Sequence, residues 1–126
     1  MADNRDISTT DRYTAVGVMS GSSLDGIDLA LCGFQRESGQ WRFQIQEART
    51  VPYSDAMRQR LVAVMNGSAL DLARLHRDLG RAIGNACKEL LQGRSVDLIA
   101  SHGHTIFHKP EEGLTTQIGC GASIAA

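Results

Sequence analysis

Residues 19–28 read Met-Ser-Gly-Ser-Ser-Leu-Asp-Gly-Ile-Asp. The glycines in this segment, Gly21 and Gly26, allow close backbone approach and positive φ. Successive amide N–H groups in a glycine-bent turn form a nest for an anion. Ser22 and Ser23 add hydroxyl donors. Asp25 and Asp28 add carboxylates able to hold Mg²⁺ directly or through water. This donor set suits the β- and γ-phosphates of a nucleotide with their metal. The segment is not a Walker loop, because it lacks the Gly-Lys-Ser/Thr ending. Two other readings stand beside it. One is a hairpin turn whose Ser and Asp serve turn chemistry alone. The other is a Gly-x-Ser nucleophile, which lacks the full elbow pattern and a following helix.

The second polar concentration is Ser101-His102-Gly103-His104-Thr105-Ile106-Phe107-His108-Lys109-Pro110. It follows the apolar run Val96–Ala100, which reads as a buried strand. Polar side chains at a strand's carboxyl end are placed where α/β sheets bind ligands. The histidines can hydrogen-bond sugar hydroxyls or tune a nearby acid. On one extended strand His102, His104 and His108 share a face, so a zinc site is an alternative. No Asp, Glu or Cys stands within Ser101–Pro110 to complete such a site. Ordinary hydrogen-bonded histidines near a strand end are the third reading.

The elements that must position these segments follow from periodicity. Tyr13–Met19 is short, apolar and rich in β-branched residues, as a buried strand is. Ile27, Leu29 and Leu31 alternate with Asp28, Ala30 and Cys32. Trp41, Phe43 and Ile45 alternate with Arg42, Gln44 and Gln46. Three strands with short turns predict an antiparallel meander. After Pro52, Ser54 can cap a helix carrying Met57, Leu61 and Val64 on one face, ended by Asn66-Gly67. Ser68 and Asp71 resemble a capping box for a longer helix with the stripe Leu72, Leu75, Leu79, Ile83, Ala86 and Leu90, stopped at Gly93. Gly80 and Gly84 are either weak points of that helix or sites of close packing. Ile106–His108 and Thr115–Gly119 predict a hairpin around Lys109–Gly113, and 122–126 the start of a helix. The order predicts an α/β fold with a mixed sheet.

Composition narrows the function classes. The 126 residues suit one compact unit, with 42% hydrophobic and 21% charged residues. A formal net charge of −1, with scattered Lys and Arg, gives no nucleic-acid or membrane-binding face. Cys32, Cys87 and Cys120 are odd in number and widely spaced, which predicts buried reduced thiols rather than disulfides. Residues 1–12 are polar and predict a flexible tail. They lack the apolar core of a secretory signal, and no run approaches a membrane span, so a cytoplasmic location is expected. The apolar ending Ile-Ala-Ala leads to the expectation that the chain is truncated.

Residues 19–28 resemble the phosphate-binding signature of the anhydro-N-acetylmuramic acid kinases. Residues 101–110 resemble the second signature of that family, and Thr116-Gln117-Ile118-Gly119 the segment that follows it. The resemblance covers residues 13–126. It implies a fold of the actin, hexokinase and heat-shock ATPase superfamily, a ribonuclease H-like lobe, with 13–126 forming part of the amino-terminal lobe of a two-lobe sugar kinase. It implies that Gly21, Ser22, Ser23, Leu24, Asp25, Gly26, Ile27 and Asp28 hold the ATP phosphates, with Asp25 toward Mg²⁺. Ser101, His102, Gly103, His104 and Thr105 become sugar-side candidates. The implied reaction belongs to bacterial cell-wall recycling. ATP phosphorylates O6 of 1,6-anhydro-N-acetylmuramic acid while water opens the anhydro ring. A full-length homodimer is also implied.

The sequence departs from the family at three of these positions. Ser22 stands where Thr is usual, His104 where Gln is usual, and Cys120 where Asp is usual. Ser keeps the hydroxyl; His keeps hydrogen-bonding capacity but adds a pH response. The family's general base is an Asp in a segment beyond residue 126. The resemblance therefore implies no catalytic residue within 1–126 and no kinase activity for this chain alone. A non-catalytic sugar- or partner-binding fragment is the alternative from another class.

Overall fold

The structure is a computed structural model that describes residues 10–21 and 23–126. Three strands open the chain: β1 Thr10–Ser20, β2 Gly26–Glu37 and β3 Gln40–Pro52. They form the expected antiparallel meander. β4, Leu98–Ser101, lies parallel to β1 on its other side, giving the order β3-β2-β1-β4 and a mixed sheet. The carboxyl-terminal hairpin pairs β5, His104–Lys109, with β6, Leu114–Ile118. All three meander strands run longer than their alternation predicts. β3 continues through Thr50 and Val51, where ladder pairing with Asp28 and Ile27 carries it past the periodic part. The tail expected over 1–12 falls on residues 1–9 outside the described residues, whereas Thr10–Arg12 belong to β1 and pair with Gln35–Glu37.

Helix α1, Asp55–Ala63, starts where Ser54 Oγ accepts the Met57 amide. A 3-10 turn at Val64–Asn66 links it to α2, Ala69–Leu91. The Ser68/Asp71 capping box is present in both directions. The predicted stripe of α2 faces the sheet, with Leu75, Leu79, Ile83 and Leu90 at most 1% exposed. Each such side chain contributes roughly 1.5–3 kcal/mol by leaving water. They join Val16, Val18, Ile27, Leu29 and Leu31 in one core. Gly80 and Gly84 resolve toward close packing. A Cβ on Gly80 would stand 2.6 Å from the Cys120 carbonyl oxygen, and one on Gly84 3.0 Å from that of Ile124. They admit the short helix α3, Gly121–Ala125. Of the three thiols expected to be buried, only Cys87 is; Cys32 and Cys120 are half-buried.

Alternation along the strands assigns the other sheet face. Tyr13, Phe34, Trp41, Phe43 and Leu98 stand exposed there, and no described helix covers them. Trp41 packs against the Tyr13 ring at 6.1 Å and under the Arg36 guanidinium at 5.7 Å. No helix among the described residues is long and apolar enough to cross a membrane.

Candidate functional site

The β1–β2 corner is a tight, solvent-facing bend. The Leu24 amide donates to the Gly21 carbonyl at 3.2 Å and closes the turn. Among the described residues of the corner, no other amide from Gly21 to Asp25 has a backbone partner. Gly21, Ser23 and Asp25 are exposed. Neither Gly21 nor Gly26 uses the positive φ that glycine allows. Among the described residues of the corner, the left-handed one is Leu24, at φ 57°. Gly26 is required for another reason, since a Cβ there would lie 2.3 Å from the Val51 carbonyl oxygen on β3. Ser22 lies outside the described residues.

A left-handed leucine needs support, because the conformation costs roughly 1–2 kcal/mol in an L-residue with a Cβ. The α1 side supplies it. Arg58 Nε donates to the Leu24 carbonyl at 3.2 Å, and the Tyr53 amide donates to the Asp25 carbonyl at 3.3 Å. The Asp25 carboxylate remains exposed. Asp28 lies on the strand itself and accepts the Thr50 hydroxyl at 2.6 Å. Ile27 is buried in the core.

The second segment divides into two parts. Ser101 ends β4 and His102 follows it, its amide donating to the Val18 carbonyl at 3.0 Å. They line an open groove of about 820 Å³ on the uncovered sheet face, together with Met19, Asp28 and Thr50. The ends of both polar segments thus meet in one groove. Gly103, at φ 71°, turns the chain tightly over β6, and a Cβ would stand 2.3 Å from the Ile118 carbonyl oxygen. Beyond it His104 is buried on the α2 side, its Nδ1 2.9 Å from Ser20 Oγ. Burial holds its imidazole below the ordinary histidine range, against a hydrogen bond to the Ser20 backbone. Thr105 is half-buried, and its Oγ1 accepts from Gln117 Nε2 at 3.3 Å.

The three histidines weighed as zinc ligands are not brought together. His102 Nε2 lies 2.9 Å from Gln117 Nε2, and His108 Nδ1 3.0 Å from Thr115 Oγ1. No group of three or more His, Cys, Asp or Glu is arranged for a metal ion among the described residues. Cys120 occupies the N-cap position of α3, where its amide donates to the His76 carbonyl at 2.9 Å.

A family model for anhydro-N-acetylmuramic acid kinase matches residues 13–126. The chain belongs to the anhydro-N-acetylmuramic acid kinase family. It is similar to proteins of that name from Chromobacterium violaceum, 40% identical over 124 residues, and Rhodospirillum rubrum, 38% identical over 117. Those matches cover 92% and 88% of this chain but only 32% and 30% of the relatives. A third, from a Cyanothece species, is 36% identical over 118 residues and covers 87% of the chain and 31% of the relative. The chain thus spans about a third of the length of the curated relatives it matches.

Sequence reasoning did not single out Tyr53, Thr50 or Gln117 as site residues. Gln117 had a signal, because it sits in the short segment that resembles the family. Tyr53 and Thr50 had none, since only the three-dimensional pairing of β3 with β2 brings Thr50 to Asp28 and Tyr53, just past β3, to the corner.

Proposed function

We propose that this chain forms the phosphate-gripping part of a carbohydrate kinase with the actin, hexokinase and heat-shock ATPase architecture, 13–126 being part of its amino-terminal lobe. The observation that carries the reading is the open corner at Gly21–Asp25, whose Gly21, Ser23 and Asp25 amides have no backbone partner among the described residues. Amides presented by such a bend suit phosphate oxygens. The exposed Asp25 carboxylate fits Mg²⁺, which when bound neutralises the charge of the phosphates. Ser101 and His102 would face the sugar across the groove shared with Asp28.

The reaction proposed for the whole protein follows the names of its relatives. The γ-phosphoryl group of ATP passes to O6 of 1,6-anhydro-N-acetylmuramic acid. Water adds at C1, and the C1–O6 bridge bond breaks. The products are ADP and N-acetylmuramic acid 6-phosphate, consistent with peptidoglycan recycling in the cytoplasm. Because the chain spans about a third of its relatives' length, 1–126 alone is expected to bind phosphates without turnover.

Magnesium triphosphate, which lacks the nucleoside, isolates the corner in a binding test. Titrated into the ¹⁵N-labelled chain, it should shift the Gly21, Ser23 and Asp25 amides, and Asp25→Ala should weaken that binding at least about tenfold. Equal affinity in the variant, or shifts confined to other residues, would refute the assignment.

A further inference from the structure

Three buried side chains from distant parts of the chain meet behind the corner. Ser20 ends β1, Tyr53 joins β3 to α1, and His104 begins β5; each is 6% exposed. Tyr53 Oη donates to Ser20 Oγ at 2.5 Å, and Ser20 Oγ lies 2.9 Å from His104 Nδ1. With Tyr53 donating into Ser20, the serine proton is left for His104 Nδ1. Tyr53 also holds the far end of the bend, through its amide on the Asp25 carbonyl. One residue therefore grips both ends of the corner, and His104 completes the grip on the leading end.

We propose that His104 is a positioning residue that, through Ser20, braces the Gly21–Asp25 corner and ties it to the second polar segment. No catalytic contact is assigned to it. Its bearing on phosphoryl transfer rests on the corner being the phosphate site; the brace itself does not. An imidazolium must donate at Nδ1, toward Ser20 Oγ or the Ser20 carbonyl, so protonation reverses or breaks the bond that Ser20 Oγ gives to the neutral ring. The titratable group facing His104 from the β3–α1 junction is Tyr53. Burial raises its phenol, the Ser20 hydroxyl opposes, and the Asp28 charge adds to the rise. Among the described residues, no charged side chain contributes to the shift of His104 itself. A glutamine at 104 offers Oε1 as an acceptor for Ser20 and does not titrate.

The test is carried out on the ¹⁵N-labelled 126-residue chain between pH 4.5 and 8. The imidazole nitrogens of His104 and the amides of Gly21, Ser23, Asp25 and Tyr53 should move with one midpoint, below the ordinary histidine value of about 6.5. His104→Gln should abolish that titration and keep the neutral-pH corner shifts. His104→Leu should lower the hydrogen-exchange protection of the Tyr53 amide about tenfold while the α2 amides hold. Corner amides that stay still through the His104 titration would overturn the proposal. So would unchanged Tyr53 protection in a folded His104→Leu chain. If that variant does not fold, the wild-type titration decides. Magnesium triphosphate should bind His104→Leu more weakly than His104→Gln at pH 7. If it binds neither these nor the parent chain, the phosphate reading fails and the brace is judged on the amide data alone.

Discussion

Replacing Gly26 with Ala puts a methyl group 2.3 Å from the Val51 carbonyl oxygen, 2.9 Å from its carbon and 3.0 Å from the Pro52 Cα. All three are backbone atoms of β3, held by the ladder that pairs Gly26 with Pro52 and Ile27 with Val51. No side chain can rotate away, so the strands must part by roughly 1 Å to reach ordinary contact distance. The cost is about 2–3 kcal/mol, as for other overpacked sites. That is a large share of a stability of roughly 5–15 kcal/mol, and it should lower Tm by about 8–15 °C. Gly21→Ala makes the contrast. Gly21 does not have a left-handed φ, and the nearest atom to a new Cβ is Ser23 Oγ at 3.8 Å. Its stability should be unchanged or up to about 1 kcal/mol higher through a stiffer unfolded chain. Its methyl would instead stand in the open corner and weaken magnesium triphosphate binding. Thermal unfolding by circular dichroism, with triphosphate titration of both variants, checks the pair. Equal destabilisation by the two alanines, or none at Gly26, would refute the reasoning.

Two further outcomes follow from charge and from exposed surface. The hydrogen bond from Arg77 holds Asp78 well down, to about 2, with burial opposing and Arg60 assisting. Its folded value lies below its unfolded one. The stabilisation is therefore complete above about pH 4 and is lost as pH falls through about 2. The guanidinium partners are 42% and 50% exposed, and screening limits the contribution to about 0.5–1 kcal/mol. Asp78→Asn should lower Tm by a few degrees at pH 7 and match the parent chain below pH 2; a constant gap would contradict this. Separately, Phe43 is 72% exposed on the open sheet face beside Trp41. Phe43→Ser should reduce binding of an apolar dye such as ANS while Tm stays within about 2 °C; undiminished dye fluorescence would show that the dye binds elsewhere.

Much of the fold was legible because burial enforces period. The α2 stripe and its capping box could be read off residue by residue, since a 23-residue helix repeats its signal many times. β1 and β2 were equally plain within their apolar stretches. The second half of β3 was not, because Glu47–Pro52 is held by pairing rather than by alternation of its own residues. At the corner, residue types pointed to a turn but not to the residue that takes its unusual torsion. Glycine is the default left-handed residue, yet here Leu24 takes that conformation, fastened by Arg58 and Tyr53 from far downstream in the chain. Local propensity carries no record of such support. Gly80 and Gly84 posed two choices that only the position of α3 could separate.

The same strand parity organises both polar segments. Met19 and Ser20 are neighbours on β1, so their side chains leave opposite faces of the sheet. Met19 lines the open groove and Ser20 enters the buried brace. His102 and His104 divide the same way on either side of Gly103. His102 lines the groove, and His104 meets Ser20 behind it. Each segment therefore contributes one residue to the exposed surface and one to the brace that fixes it. A substitution at Ser20 or His104 should act through corner geometry, whereas one at His102 should leave the corner amides in place. A glycine stands beside each pair, but only the one between the histidines is crowded: a Cβ at Gly21 would meet nothing closer than 3.8 Å, whereas one at Gly103 would be obstructed. At Gly103 that obstruction is the β6 backbone, and at Gly26, across the corner, it is β3.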